Sequence, residues 1–209
     1  MSDPARPRVY LAGPEVFHPQ ARALGARKKA VCDQAGLEGV FPLDGLPEEE
    51  PEPTPEAGFA LQRHCVGLMT ACDALIANIT PFRSPAADVG TAVEIGFMRG
   101  LDRPVFAYSN TALPYIQRVA GALGGELPRR EDGTPVDLED MAVEPFGLAD
   151  TLMIDGSVTP CPGGGRGGRR VVTRDTRFVS RWTDLTAFTE VVRMAATVLG
   201  VPPSGVSSG

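Results

Sequence analysis

The sequence predicts a doubly wound α/β fold, a mostly parallel sheet flanked by helices, and three observations point to it. From Asp73 to Asn110 the chain passes through a short apolar run, a polar loop, a helical segment and a second apolar run, the pattern of a βαβ unit. Such a unit sets its strands parallel and calls for parallel neighbours. Near the amino end, Arg8 to Ala12 (RVYLA) is another short β run, broken at once by Gly13-Pro14. Helical periodicity fills most of the intervals, so strand and helix alternate.

After the first strand, Pro19 to Gly36 reads as an amphipathic helix with Leu24, Lys28, Val31 and Ala35 among its positions and Gly36 as its stop. Val40 to Leu43 is the expected second strand. Pro47 to Pro55 (PEEEPEPTP) is acidic and proline-rich, which excludes a helix interior or a central strand. It reads as a solvated surface loop, with an active-site lid as the alternative. Phe59 to Ala71 is a helix that brings Leu61, Cys65, Leu68 and Met69 to one side and feeds the buried strand Ala74 to Ile79.

The next helix opens with Asp88 and Gly90, and Val105 to Tyr108 is the strand that follows it. Thr111 to Leu123 has helical character despite Pro114, and Gly124 to Asp137 is polar and turn-rich. Phe146 to Asp155 is apolar, with a helix starting near Asp150. Residues 157–170 (SVTPCPGGGRGGRR) form a Gly/Arg-rich stretch expected to be a flexible insertion. Trp182 to Leu199 is a terminal amphipathic helix, so residues 1–200 make a single domain and 201–209 a disordered tail.

Composition narrows the chemistry. A net charge of −6 argues against a nucleic-acid partner. No apolar run is long enough to span a bilayer and MSDPARPRV lacks the apolar core of a signal peptide, so a cytoplasmic protein without a membrane partner is expected. Cys32, Cys65, Cys72 and Cys161 have no paired metal-ligand spacing and read as reduced core thiols; the histidines are only His18 and His64. No metal site and no organic cofactor are expected. The turn after the first strand is neither GxGxxG nor a P-loop, so phosphate is not the main handle. The work falls to carboxylates.

In a parallel sheet, ligands sit beyond the carboxyl ends of the strands, the end from which the loop Thr80 to Ala87 leaves. Asp88 and Glu94 then flank a crevice. Six residues of continuous helix rotate a side chain by roughly 240°, so both carboxylates reach one ligand only if Asp88 lies in the loop or caps the helix. Glu94 projects from the second turn among Val93, Ile95, Gly96 and Phe97, where its charge needs a partner or a use; an ion pair with Arg99 or Arg103 is the alternative. Gly90 leaves the face one turn earlier bare for a ligand. Asp73, at the mouth of its strand, is either a turn residue or a third carboxylate of the same crevice.

Four blocks carry a resemblance: YLAGPEVF from Tyr10, CDALIANITPFR from Cys72, DVGTAVEIG from Asp88 and FGLADTLM from Phe146. Together, and in this order, they resemble the nucleoside 2-deoxyribosyltransferases. The resemblance implies a five-stranded Rossmann-like or flavodoxin-like sheet and transfer of a 2-deoxyribosyl group between nucleobases. It implies Glu94 as the nucleophile, Tyr10 as its orienting hydrogen-bond partner, and Asp73 and Asp88 on the sugar hydroxyls and base, one of them supplying a proton to the leaving nitrogen. Chemistry agrees, because a carboxylate stabilises and then traps an oxocarbenium-like centre while a second, protonated carboxyl serves the leaving group.

Gly13, Asn78, Phe17 and Phe82 are expected to line the substrate site, the two rings as stacking walls for a base; a core role is the alternative for the rings, and Asn78 and Arg83 line the pocket or only satisfy the loop. The FGL block adds Thr151 and Met153 to the substrate-binding set. Family members often carry Asn where this chain has Thr151, reaching a neighbouring subunit's sugar, so a homo-oligomer with a shared site is implied. The expected partners are a 2′-deoxynucleoside and a free nucleobase. Two other readings stand beside this one: an N-glycosidase hydrolysing nucleosides or nucleoside 5′-monophosphates, and a non-catalytic nucleotide-binding module.

Overall fold

The computed structural model describes residues 5–49, 51–160 and 170–202. Five strands, β1 (Arg8–Ala12), β2 (Glu38–Val40), β3 (Ala74–Asn78), β4 (Val105–Ser109) and β5 (Val172–Thr173), form one sheet in the order β2-β1-β3-β4-β5. Every pairing is parallel. The order is that of flavodoxin-like doubly wound sheets, with its topological switch point between β1 and β3.

Alternation along the strands sends side chains to two cores. Val9, Leu11, Ile76, Phe106 and Tyr108 face α1 (Ala21–Gln34) and α6 (Thr186–Val198). Tyr10, Ala12, Leu75, Ala77 and Val105 face the opposite layer, which holds α2 (Pro55–Thr70), α3 (Val89–Gly100) and α5 (Leu152–Ser157). β3 and β4 are buried along their whole length, which is why they read as unbroken apolar runs. A shorter helix, α4 (Tyr115–Ala122), follows β4.

Several boundaries move for local reasons. The second strand lies earlier than Val40 to Leu43, because the Asp44 carboxylate accepts a hydrogen bond from the Phe41 amide at 2.9 Å and turns the chain there. α2 begins at Pro55 rather than Phe59: the Thr54 hydroxyl caps the Ala57 amide at 3.2 Å, and proline suits a first helical position. α4 starts only after Pro114, and α6 starts at Thr186, since residues 178–180 form a 3-10 turn. β5 has only two residues, too few to show in the sequence pattern. Residues 161–169 of the Gly/Arg-rich stretch, with Cys161, Glu50 of the acidic loop, and 203–209 of the tail lie outside the described residues. No helix among the described residues is long and apolar enough to cross a membrane.

Candidate active site

The loop between β3 and α3 ends at Asp88, which has a non-helical backbone and caps α3. Its Oδ2 accepts the Thr91 amide at 3.0 Å and the Thr91 hydroxyl at 3.2 Å. Because Asp88 sits at the cap, its carboxylate folds over the first turn, near Glu94 one turn and a half further on. A Cβ on Gly90 would lie 3.0 Å from that same Oδ2, so the glycine gives the carboxylate room.

Across the switch point, Tyr10 of β1 is fully buried, and its hydroxyl donates to Glu94 Oε1 at 2.7 Å. Burial pushes the Glu94 carboxyl up to about 7; the Tyr10 hydrogen bond opposes this, and the Asp88 charge adds to it. Burial and the Glu94 charge also raise the Tyr10 phenol, which stays protonated and keeps donating. The half-buried Cys65 thiol of α2 is a third neighbour, hydrogen-bonded to the phenol and raised by burial. Arg99 and Arg103 take no part: Arg103 donates to the carbonyls of Met69, Thr70 and Cys72, and Arg99 reaches the Arg103 carbonyl at 3.4 Å. Cys32, Cys65 and Cys72 are free thiols, and no three metal-ligating side chains converge among the described residues.

On the α1 face of the sheet, opposite the face that carries this pair, lies a buried ion cluster that the sequence reading missed. Glu15 Oε1 accepts from Lys28 Nζ, Asn78 Nδ2 and the Tyr108 hydroxyl, each at 2.9 Å. Burial raises the Glu15 carboxyl, but the Lys28 ammonium and these hydrogen bonds override it and hold it below the usual range. One carboxylate thereby ties the turn after β1 to the carboxyl ends of β3 and β4. Its other oxygen lies only 2.2 Å from where a Cβ on Gly13 would stand, and Gly13 has φ +155°. A lysine at an otherwise core-facing helical position, Lys28 one turn after Leu24, was the signal available in the sequence.

A second hub fixes the far wall. The Arg118 guanidinium donates to the carbonyls of Pro85, Leu113 and Ala149 and to Asp150 Oδ2 at 2.8 Å, and that oxygen also accepts the Ala87 amide at 3.0 Å. The loop that delivers Asp88 is thus bolted to the segment that delivers Thr151.

The structure brings Tyr10, Asp88, Gly90 and Glu94 together. Phe17 and Phe82, from the loops after β1 and β3, stack with centroids 5.4 Å apart across the switch point. Thr151 caps α5 without a side-chain cap bond and remains half-buried. Two expectations are corrected. Asp73 precedes β3, so it lies at the amino edge of the sheet, where its carboxylate accepts the Arg8 amide at 2.7 Å. Asn78 is fully buried, its amide on Glu15 and its Oδ1 accepting the amide and hydroxyl of Thr80, which leaves it no role as a ligand contact. Met153, on α5, is 72% exposed. Gly13 serves Glu15 by making space for its carboxylate.

A separate cavity of about 290 Å³ lies between residues 146–149, α5 and β5, and none of Tyr10, Asp88 or Glu94 lines it.

Fold and site together define a flavodoxin-like α/β protein whose switch-point crevice holds a phenol-bound carboxylate and a second acid. The family model for nucleoside 2-deoxyribosyltransferase matches residues 9–153, and the chain belongs to that family. It is 32% identical over 162 residues to the uncharacterized protein C191.05c of Schizosaccharomyces pombe, covering 73% of this chain and 77% of that one. Among solved structures it is similar to a 2-desoxiribosyltransferase from Leishmania mexicana, with TM-score 0.55, 24% identity, and coverage of 88% of this chain and 97% of that chain. A conserved protein from Enterococcus faecalis V583 matches with TM-score 0.51 and 18% identity over 91% of this chain and 99% of its own. These two likenesses bear on the fold.

Proposed function

We propose that the protein transfers a 2-deoxyribosyl group between nucleobases through a covalent ester on Glu94. The observation that carries this reading is the 2.7 Å Tyr10–Glu94 hydrogen bond at the switch point. It aims one carboxylate oxygen and leaves the other for C1′ of a 2′-deoxynucleoside. As the Glu94 oxygen bonds to C1′, the C1′–N bond breaks and its electron pair passes to the base nitrogen, which takes a proton. With Asp73 at the opposite edge of the sheet, Asp88 is the carboxylate placed to relay this proton from solvent to the nitrogen. A second base then attacks C1′ through nitrogen, expels Glu94 as carboxylate and returns a proton to Asp88.

A second copy of the chain covers α3 in this reading. Val89 is 81% and Val93 72% exposed one turn apart on the helix that carries Glu94, and Leu152 and Met153 of neighbouring α5 are exposed as well. That apolar surface beside the crevice fits a shared, homo-oligomeric site.

The test is chromatographic. Protein incubated with 2′-deoxyinosine or thymidine and a different free base should form the new deoxynucleoside, and Glu94→Ala should abolish it. Free base without exchange would indicate a hydrolase, and silence with both donors a binding module.

A further inference from the structure

Arg83 occupies an unusual place in the loop that joins β3 to the Asp88 cap. Its φ is +58°, a left-handed conformation that non-glycine residues seldom adopt and that clusters at functional loops. Its guanidinium carbon stands 5.0 Å from the Phe17 centroid and 4.6 Å from that of Phe82, so it rests on both rings of the stacked pair. Phe82 in turn meets Trp182 edge-on at 5.8 Å, which buttresses the ledge. Among the described residues no carboxylate pairs with Arg83, although the side chain is exposed.

A guanidinium carries five N–H donors and no acceptor, and stacking on rings holds its fork in a fixed plane. The ligand that suits it is planar, stacks with aromatic rings and offers two adjacent acceptors along one edge. A 6-oxopurine does this through O6 and N7, the pairing by which arginine reads guanine. Adenine replaces one of those acceptors with an amino donor facing the guanidinium. A phosphate also fits an arginine fork, but Asp88 and Glu94 share the crevice, and a dianion there meets their repulsion. A neutral oxo-base does not.

We infer that Arg83, held on Phe17 and Phe82, determines base specificity and selects 6-oxopurines over 6-aminopurines. The inference rests on the transfer reading, since it takes the crevice to hold a nucleobase. It is tested by binding rather than turnover. Calorimetry of 2′-deoxyinosine and 2′-deoxyadenosine on Glu94→Gln protein should show the oxo nucleoside bound tighter by roughly ten- to a hundredfold. Adding Arg83→Met should bring the two to within about twofold by weakening only 2′-deoxyinosine.

Equal binding before the change, a preference that survives it, or an equal loss for both nucleosides would overturn the inference. So would binding confined to 2′-deoxyinosine 5′-monophosphate and lost with Arg83→Met, which would make the ledge an anion site. Failure of the transfer reading is separate and shows as absent base exchange in the unmodified protein. Absence of all nucleoside binding would overturn both.

Discussion

The hydroxyl of Tyr10, from the middle of β1, donates to Oε1 of Glu94, 84 residues later on α3, at 2.7 Å. The bond joins β1 to the helix that follows its neighbour β3; it aims the carboxylate and opposes the rise in its pKa that burial causes. Replacing Tyr10 by Phe removes a hydrogen bond to a charged group, an interaction of about 1.5–3 kcal/mol. The expected result is a loss of roughly ten- to a hundredfold in kcat/KM. The bond lowers the Glu94 pKa, so the acid limb of the pH–rate profile should also move to higher pH, a shift that mere loosening of the fold would not produce.

In the proposed reaction Glu94 attacks as a carboxylate, and burial pushes its carboxyl up to about 7, so kcat/KM should rise with pH through that value. Stability should move the other way. The folded state keeps the proton after the unfolded chain has lost it, so the contribution is complete below the ordinary carboxylate pKa and is lost as pH rises through about 7. Glu94→Gln does not titrate. Urea unfolding should show its advantage over the natural sequence growing by on the order of 2 kcal/mol between pH 5 and pH 8.

Asp73→Asn is the contrasting substitution. The residue caps the Arg8 amide at the amino edge, and an asparagine oxygen still accepts that hydrogen bond. Transfer rates should stay within about twofold, since exposed polar changes of this kind cost little. A tenfold fall would show that Asp73 takes part in the reaction.

Arg118→Met should leave three carbonyls without the guanidinium donor and the buried Asp150 carboxylate without its cation, held only by backbone amides. Breaking a buried ion pair from one side costs about 3–5 kcal/mol. Thermal unfolding should report that loss, and KM should rise because the Asp88 loop keeps only the Ala87–Asp150 hydrogen bond as its tie to the Thr151 segment.

Val93→Glu places a charge on the exposed face of α3 without touching either core. Light scattering should show a smaller particle, and exchange activity should fall with it. An unchanged mass would remove α3 from the subunit contact.

Much of the site was legible because its signals are local. The α3 cap, the six-residue offset that needs Asp88 at that cap, and the strand carrying Tyr10 each follow from neighbours within about two helical turns. Glu15 and Arg118 were not legible, because their partners are distant: Glu15 meets Asn78 across 63 positions and Tyr108 across 93, and Arg118 meets Asp150 across 32. Nothing in the chain around Tyr108 signals that its hydroxyl is needed by a carboxylate near the other end of the sequence.

Asp73 marks the boundary most clearly. A polar residue just before an apolar run and one just after it look alike in a sequence, yet a five-residue strand separates them by about 17 Å. The amino-acid order alone determined the alternating parallel architecture and the pairing of an acid-bearing helix with the switch-point crevice, because periodicity and capping act over short range. Only the folded chain decided which acids share that crevice and which arginines hold its walls, because strand direction and sheet order bring distant side chains to one edge and send adjacent ones to the other.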